Sequence, residues 1–187
     1  MHHLTALSQR QITLLIGPRA QQEAIIDLTA VLALRGRVRV IDGGNNFDPY
    51  RVARAIRRRT HRLDEMFARV TVARAFTCYQ AIHLLEQTPA TDRPHLICDL
   101  TATFYDEAVS YNEGYRLLRL AMSELRRLSR RAPVVVTARD LGELGRPTRD
   151  RRSGLLRLLK DTADQVLLPN AQPRNGEMPT FEKLASL

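Results

Sequence analysis

The chain has 187 residues, 44% of them hydrophobic and 26% charged, with two cysteines. That is the composition of an ordinary globular domain, and it excludes a collagen repeat, a disulfide-stapled scaffold and wholesale disorder. The unusual quantity is charge: 29 basic against 20 acidic residues, net +9, with every basic residue except Lys160 and Lys183 an arginine. A basic excess fits a polyanionic partner. It fits equally well a genome or habitat that favours arginine, so charge alone assigns no function.

The length suits one domain with a sizeable core, able to bury about 70% of its unfolded surface without disulfide or metal. Cys78 and Cys98 form no CxxC and read as buried free thiols of a reducing cytoplasm. His2 and His3 form no ligand cluster with their neighbours. No apolar run approaches the ~18 residues of a membrane span, and no secretory apolar region opens the chain. The expectation is a cytoplasmic protein with no membrane partner and no metal.

Strand and helix signals alternate. Residues 11–16 are a short apolar run ending at Gly17-Pro18, and a helical pattern follows from Gln21 to Arg35, closed by Gly36. Val38, Val40 and Ile41 mark a second strand that stops at Asp42-Gly43-Gly44. Asp48-Pro49 reads as a cap and first residue of a helix reaching Arg59. A third strand over 68–73 leads to a helix over 78–87, a loop over 88–94 and a fourth strand over 95–100. The spacing of Tyr115, Leu118, Met122, Leu125 and Leu128 predicts a long helix over 111–131. A fifth strand over 134–137, a polar loop over 139–153, a short helix over 155–162 and a last strand over 165–168 complete the pattern. Fully apolar strands separated by helices imply an α/β fold: a three-layer, doubly wound, mostly parallel sheet with helices on both faces. The core spans 1–168, and 169–187 reads as a C-terminal tail. Ligands of such sheets sit at the carboxyl ends of the strands.

A glycine between the first strand and its helix stands where a phosphate-binding P-loop would. That loop needs G-x4-G-K-[ST], with glycines for the backbone cradle, lysine for the phosphates and a hydroxyl for magnesium. Here Gly17 is in register, but Gln22 replaces the second glycine, Glu23 the lysine and Ala24 the hydroxyl. A carboxylate facing phosphates should cost several kcal/mol in a partly dry site.

Val40-Ile41-Asp42-Gly43-Gly44-Asn45-Asn46-Phe47-Asp48-Pro49 resembles the IDTEGTFxP motif of RecA-type recombinase ATPases of the RadA and KaiC branch. Val70 to Ala75 resembles its xYVARA strand, Leu96-Ile97-Cys98-Asp99 its Walker B strand, and Leu100 to Phe104 its DSxxxLF segment. Val134 to Arg139 resembles its VVVTNQ strand. The resemblance covers residues 11–168 and implies a RecA-like P-loop NTPase core. Under it, the catalytic glutamate falls on Gly44, the phosphate-sensing glutamine on Arg139, and the Walker B carboxylate on Asp99. With lysine, hydroxyl and glutamate gone, it implies a pseudo-ATPase with no catalytic residue and no ATP or magnesium cofactor. A degenerate nucleotide site would comprise Gly17, Arg19, Gln22, Glu23, Asp99 and Arg139, and Arg19 with the helix N-terminus favours an anion. Taken alone, Asp99 reads as a carboxylate that caps or orients the adjoining turn.

Arg51, Arg54, Arg58 and Arg62 fall three or four residues apart and form one helical stripe. Arg139, Arg146, Arg149, Arg151 and Arg152 crowd the loop after the fifth strand, where the resembled family meets DNA. Such arginines give salt-dependent, sequence-independent phosphate contacts, or a solvated face. Tyr105 and Tyr111 are the nearest base-stacking candidates, with packing as their alternative. The reading is a non-catalytic paralogue assisting recombination or repair through DNA or a RecA/RadA-like partner, as a homodimer or heteromer. The alternatives are a weak or altered nucleotide-binding ATPase and a regulatory or structural subunit that does not bind DNA.

Overall fold

The computed structural model describes residues 11–17, 20–139 and 152–167. His2, His3 and the tail 169–187 lie outside the described residues. In chain order the elements are β1 (Ile12–Ile16), α1 (Ala20–Arg35), β2 (Val38–Asp42), α2 (Pro49–Arg57), α3 (Leu63–Phe67), β3 (Val70–Arg74), α4 (Cys78–Gln87) and β4 (His95–Cys98). A 3-10 helix (Leu100–Tyr105), α5 (Tyr111–Ser129), β5 (Val134–Ala138), α6 (Arg152–Thr162) and β6 (Gln165–Leu167) follow. The expected alternation holds. The short α3 and the 3-10 helix are additions, too brief to show a periodicity. Several boundaries move: β3 runs from Val70 to Arg74, and α2 ends at Arg57. The fourth strand stops at Cys98 because Asp99 adopts φ 50, which no strand can continue. The helix after β5 begins at Arg152, so Arg152 opens α6 and does not belong to the preceding loop.

The strands form one six-stranded sheet in the order β3-β2-β4-β5-β1-β6, and every pairing is parallel. A sheet buried on both faces needs apolar side chains at consecutive positions, and β1, β4 and β5 are buried throughout. Successive residues serve opposite cores. Leu15, Val40, Leu96 and Val135 pack with α1, α2 and α3 on one face. Leu14, Ile16, Ile41, Ile97 and Val136 pack with α4, α5 and α6 on the other. The edge strand β3 is more open, with Val72 exposed. Cys78 and Cys98 are buried and free, as expected.

Local signals set the helix starts. Asp48 caps α2 by accepting from the Tyr50 and Arg51 amides, with Pro49 at the first turn. Thr77 caps α4 and Ser110 caps α5 in the same way. After β1 the chain turns to the α1 face, and after β5 to the α6 face. Adjacent strands whose connections diverge leave a crevice at their carboxyl ends.

Candidate functional site at the carboxyl ends of the sheet

The loop after β2 is wound around one carboxylate. Asp42 is fully buried and accepts from the Asn46 amide (3.2 Å) and the Phe47 amide (3.0 Å). Arg74, at the end of β3, holds its Nε 3.4 Å from Asp42 Oδ2 and donates Nη2 to the Phe47 carbonyl at 2.9 Å. Asn45, at φ 51, turns the loop in the left-handed region that asparagine tolerates. Asp42 and Arg74 are therefore the scaffold of this corner, a role the motif alone did not reveal.

Gly43 and Gly44 bring that loop against Asp99. The Gly43 amide donates to the Cys98 carbonyl at 2.8 Å. A Cβ at Gly44 would stand 2.6 Å from Asp99 Oδ2 and 2.7 Å from Asp99 Cβ. The position aligned with a glutamate in the resembled pattern thus has no room for a side chain.

Asp99 sits at φ 50, ψ 50, between β4 and the 3-10 helix, and its side chain makes no capping bond. Its amide donates to Thr137 Oγ1 on β5 at 2.8 Å. Its carboxylate Oδ2 lies 2.5 Å from Arg139 Nη2, while Oδ1 is buried without a hydrogen-bond partner. The isolated reading of Asp99 as a turn cap is corrected: the carboxylate faces across the strand ends, toward β5. Burial pushes the Asp99 carboxyl above its ordinary value, the Arg139 guanidinium opposes this, and Asp42 adds to the rise. Thr101, two residues on, buries a hydroxyl that also has no partner.

Gly17 joins this corner from β1, its amide donating to the Ala138 carbonyl at 3.3 Å. Gln22 is half-buried on the first turns of α1, and Glu23 is exposed. Glu23 does not enter the crevice. Its carboxylate pairs with Arg51 Nη2 of α2 at 3.1 Å. One turn further, Asp27 takes Arg59 at 3.2 Å and Arg58 at 3.7 Å. Two arginines of the expected α2 stripe, Arg51 and Arg58, therefore have acidic partners on α1, and Arg62 pairs with Glu65. Arg54 is exposed and without an ion pair among the described residues. Arg19, Arg146, Arg149 and Arg151 lie outside the described residues.

Of the residues that the resemblance implies for a nucleotide site, the structure brings Gly17, Asp99 and Arg139 to neighbouring strand ends and turns Glu23 outward. What this corner can do chemically follows from charge. Arg139 places a fixed cation on the Asp99 carboxylate edge, and its side chain remains 44% exposed, so the guanidinium has donors left for an anion. Thr137, whose hydroxyl positions the Asp99 amide, was visible in sequence only as a polar residue in an apolar strand.

Tyr105 and Tyr111 line a separate cavity of about 230 Å³ with Phe104, Val109, Gly114 and Leu155. The Tyr111 ring also lies 6.0 Å from that of Tyr115. Among the described residues no helix is long and apolar enough to cross a membrane, and no three His, Cys, Asp or Glu side chains converge as a metal site. No model of a known protein family matches this chain, and a search of curated proteins finds no match for it.

Proposed function

We propose that this chain is a RecA-type paralogue that does not turn over ATP and assists recombination or repair by binding DNA, a recombinase-like partner, or both. The observation that carries the first half is the Asp99–Arg139 pair. A Walker B carboxylate in a working site is reserved for magnesium and its waters. Here an arginine of the same chain neutralises it, and the residues at 23 and 24 offer neither ammonium nor hydroxyl. The strand order supports the RecA-type reading: it sets β5 between the P-loop-like strand and the Walker-B-like strand.

The DNA half rests on the net charge of +9. The partner half rests on the open edge at β3, where Val72 is exposed and Phe76 and Tyr79 stand nearby, also exposed. A sheet edge with unpaired backbone groups accepts a further strand. A second reading, residual nucleotide binding, is favoured by the exposed side chain of Arg139, the residue after Ala138, whose carbonyl accepts from the Gly17 amide.

Calorimetric titration with magnesium-ATP separates the two. The proposal expects a flat trace at millimolar nucleotide, together with salt-dependent binding of labelled oligonucleotides. Heat of binding in the micromolar range would replace it with the nucleotide-binding reading.

A further inference from the structure

Among the described residues, the two ends of the sheet differ in how their arginines are paired. At the carboxyl end four described arginines are matched to carboxylates: Arg51 to Glu23, Arg74 to Asp42, Arg116 to Glu113 and Arg139 to Asp99. Asp106 and Glu107 stand beside them with no arginine partner among the described residues. At the amino end the pattern reverses. Arg39 is in register with His95, and His95 with Val134. Arg37 directly precedes β2, Arg93 stands two residues before β4, and Arg131 closes the turn after α5, three residues before β5. The connections entering three neighbouring strands, β2, β4 and β5, therefore each carry an arginine at this end of the sheet.

Arg35 at the end of α1 flanks this cluster on one face of the sheet, and Arg130 at the end of α5 flanks it on the other. Arg35, Arg37, Arg93, Arg130 and Arg131 are all exposed. None of them lies within ion-pair distance of a carboxylate among the described residues. Glu65 and Glu124, which approach this end, are already paired with Arg69 and Arg127. Asp64, Glu86 and Asp92 are the carboxylates left over there, so arginine predominates.

Unpaired arginine is the costly state for a folded protein's own stability, because clustered like charges repel. A cluster of exposed forked donors without internal acceptors is complementary to a polyanion. A membrane surface would call for apolar side chains among the basic ones. The segments that carry this cluster contribute none of the exposed large hydrophobic residues.

We infer that the amino-terminal rim of the sheet, centred on Arg37, Arg93 and Arg131, is the surface that meets a nucleic-acid phosphate backbone. This rests on the DNA reading above and moves the contact to the opposite end of the sheet from the loop after β5. The rim is independent of the crevice, so it works whether or not a nucleotide ever binds.

The test uses the full chain and fluorescence anisotropy of a labelled duplex between 50 and 200 mM salt. R37Q/R93Q/R131Q is compared with wild type and with R119Q, which removes one exposed arginine about 16 Å along α5 from the rim. Loss of three phosphate contacts flattens the slope of log K against log salt by about 2.7, and R119Q changes it by less than one contact's share. If the triple variant melts early, R93Q alone serves, since Arg93 stands in a loop; its expected change is about 0.9. Wild-type DNA binding with an unchanged slope in the rim variant overturns the rim while leaving the DNA reading intact. No DNA binding at 50 mM salt overturns both, and so does rim-dependent binding to phosphatidylserine vesicles without DNA binding.

Discussion

The carboxylate of Asp99 fills the space that a side chain at Gly44 would need: an added Cβ there would stand 2.6 Å from Oδ2. This corner therefore does not accommodate a glutamate at position 44. Gly44→Glu should lower stability by about 1–3 kcal/mol through overpacking, about 2–4 °C per kcal/mol in a chain of this size, with no phosphate release from ATP. Thermal melting and a phosphate assay check it; ATP turnover by this variant would refute the steric argument.

Arg139 is the only described cation on the Asp99 carboxylate. Arg139→Gln should cost about 1–2 kcal/mol, less than a fully buried pair because the arginine is 44% exposed and screened by water. Burial already raises the Asp99 carboxyl, and removing its opposing partner raises it further. A raised acid favours the folded state once protonated, so the deficit of R139Q should shrink as pH falls through the carboxylate range. Asp99→Asn in the R139Q background should recover part of the loss. Urea midpoints of the four proteins give the coupling.

Glu23 points to Arg51, 3.1 Å away, with its side chain 76% exposed. Introducing the lysine and hydroxyl of a P-loop by Glu23→Lys with Ala24→Ser should therefore not create nucleotide binding. It should cost about 1–3 kcal/mol, from the lost exposed ion pair and from a hydroxyl at the buried Ala24 position. Calorimetry with magnesium-ATP reads the first expectation and melting the second.

His95 is 1% exposed at the start of β4, and neither ring nitrogen has a partner. Burial, with the Arg39 and Arg127 charges adding to it, lowers its pKa to about 4 from 6.5. A lowered base is neutral in the fold and charged in the unfolded chain. Stability from this group is present above pH 6.5 and drains away toward pH 4, by about 3 kcal/mol. His95→Leu should flatten that part of the stability curve. Denaturant midpoints that fall in parallel for both proteins from pH 7 to 4.5 would assign the acid sensitivity elsewhere.

Asp164 ties three elements together. Its Oδ2 accepts from the Ile12 amide at 2.7 Å, and both of its oxygens accept from Arg126 Nη1, at 2.9 and 2.7 Å. Arg126 also donates to the Thr162 carbonyl at 2.7 Å. Burial would raise this carboxyl, but the Arg126 and Ile12 donors outweigh it and hold the group below its ordinary value. Asp164→Asn should destabilise by about 1 kcal/mol at neutral pH, discounted for partial exposure. The difference from wild type should vanish at low pH, where the native carboxylate is protonated as well.

Six strands in the right order, the capped start of α2, the end of α1 at Gly36 and the buried thiols could all be read from the amino-acid sequence. These follow from periodicity and turn residues that act within a few positions of themselves. The net charge of +9 was equally visible, but not its distribution. That Glu23 turns to Arg51, that Asp99 meets Arg139 and Thr137, and that Gly44 is walled in by Asp99 depends on pairings between distant segments. Only the strand order β3-β2-β4-β5-β1-β6 brings those segments together. Among the described residues, packing also pairs Arg51, Arg74, Arg116 and Arg139 with carboxylates and leaves Arg37, Arg93 and Arg131 without one. A helical spacing in the sequence shows that charges share a face, whereas packing decides which of them find a carboxylate.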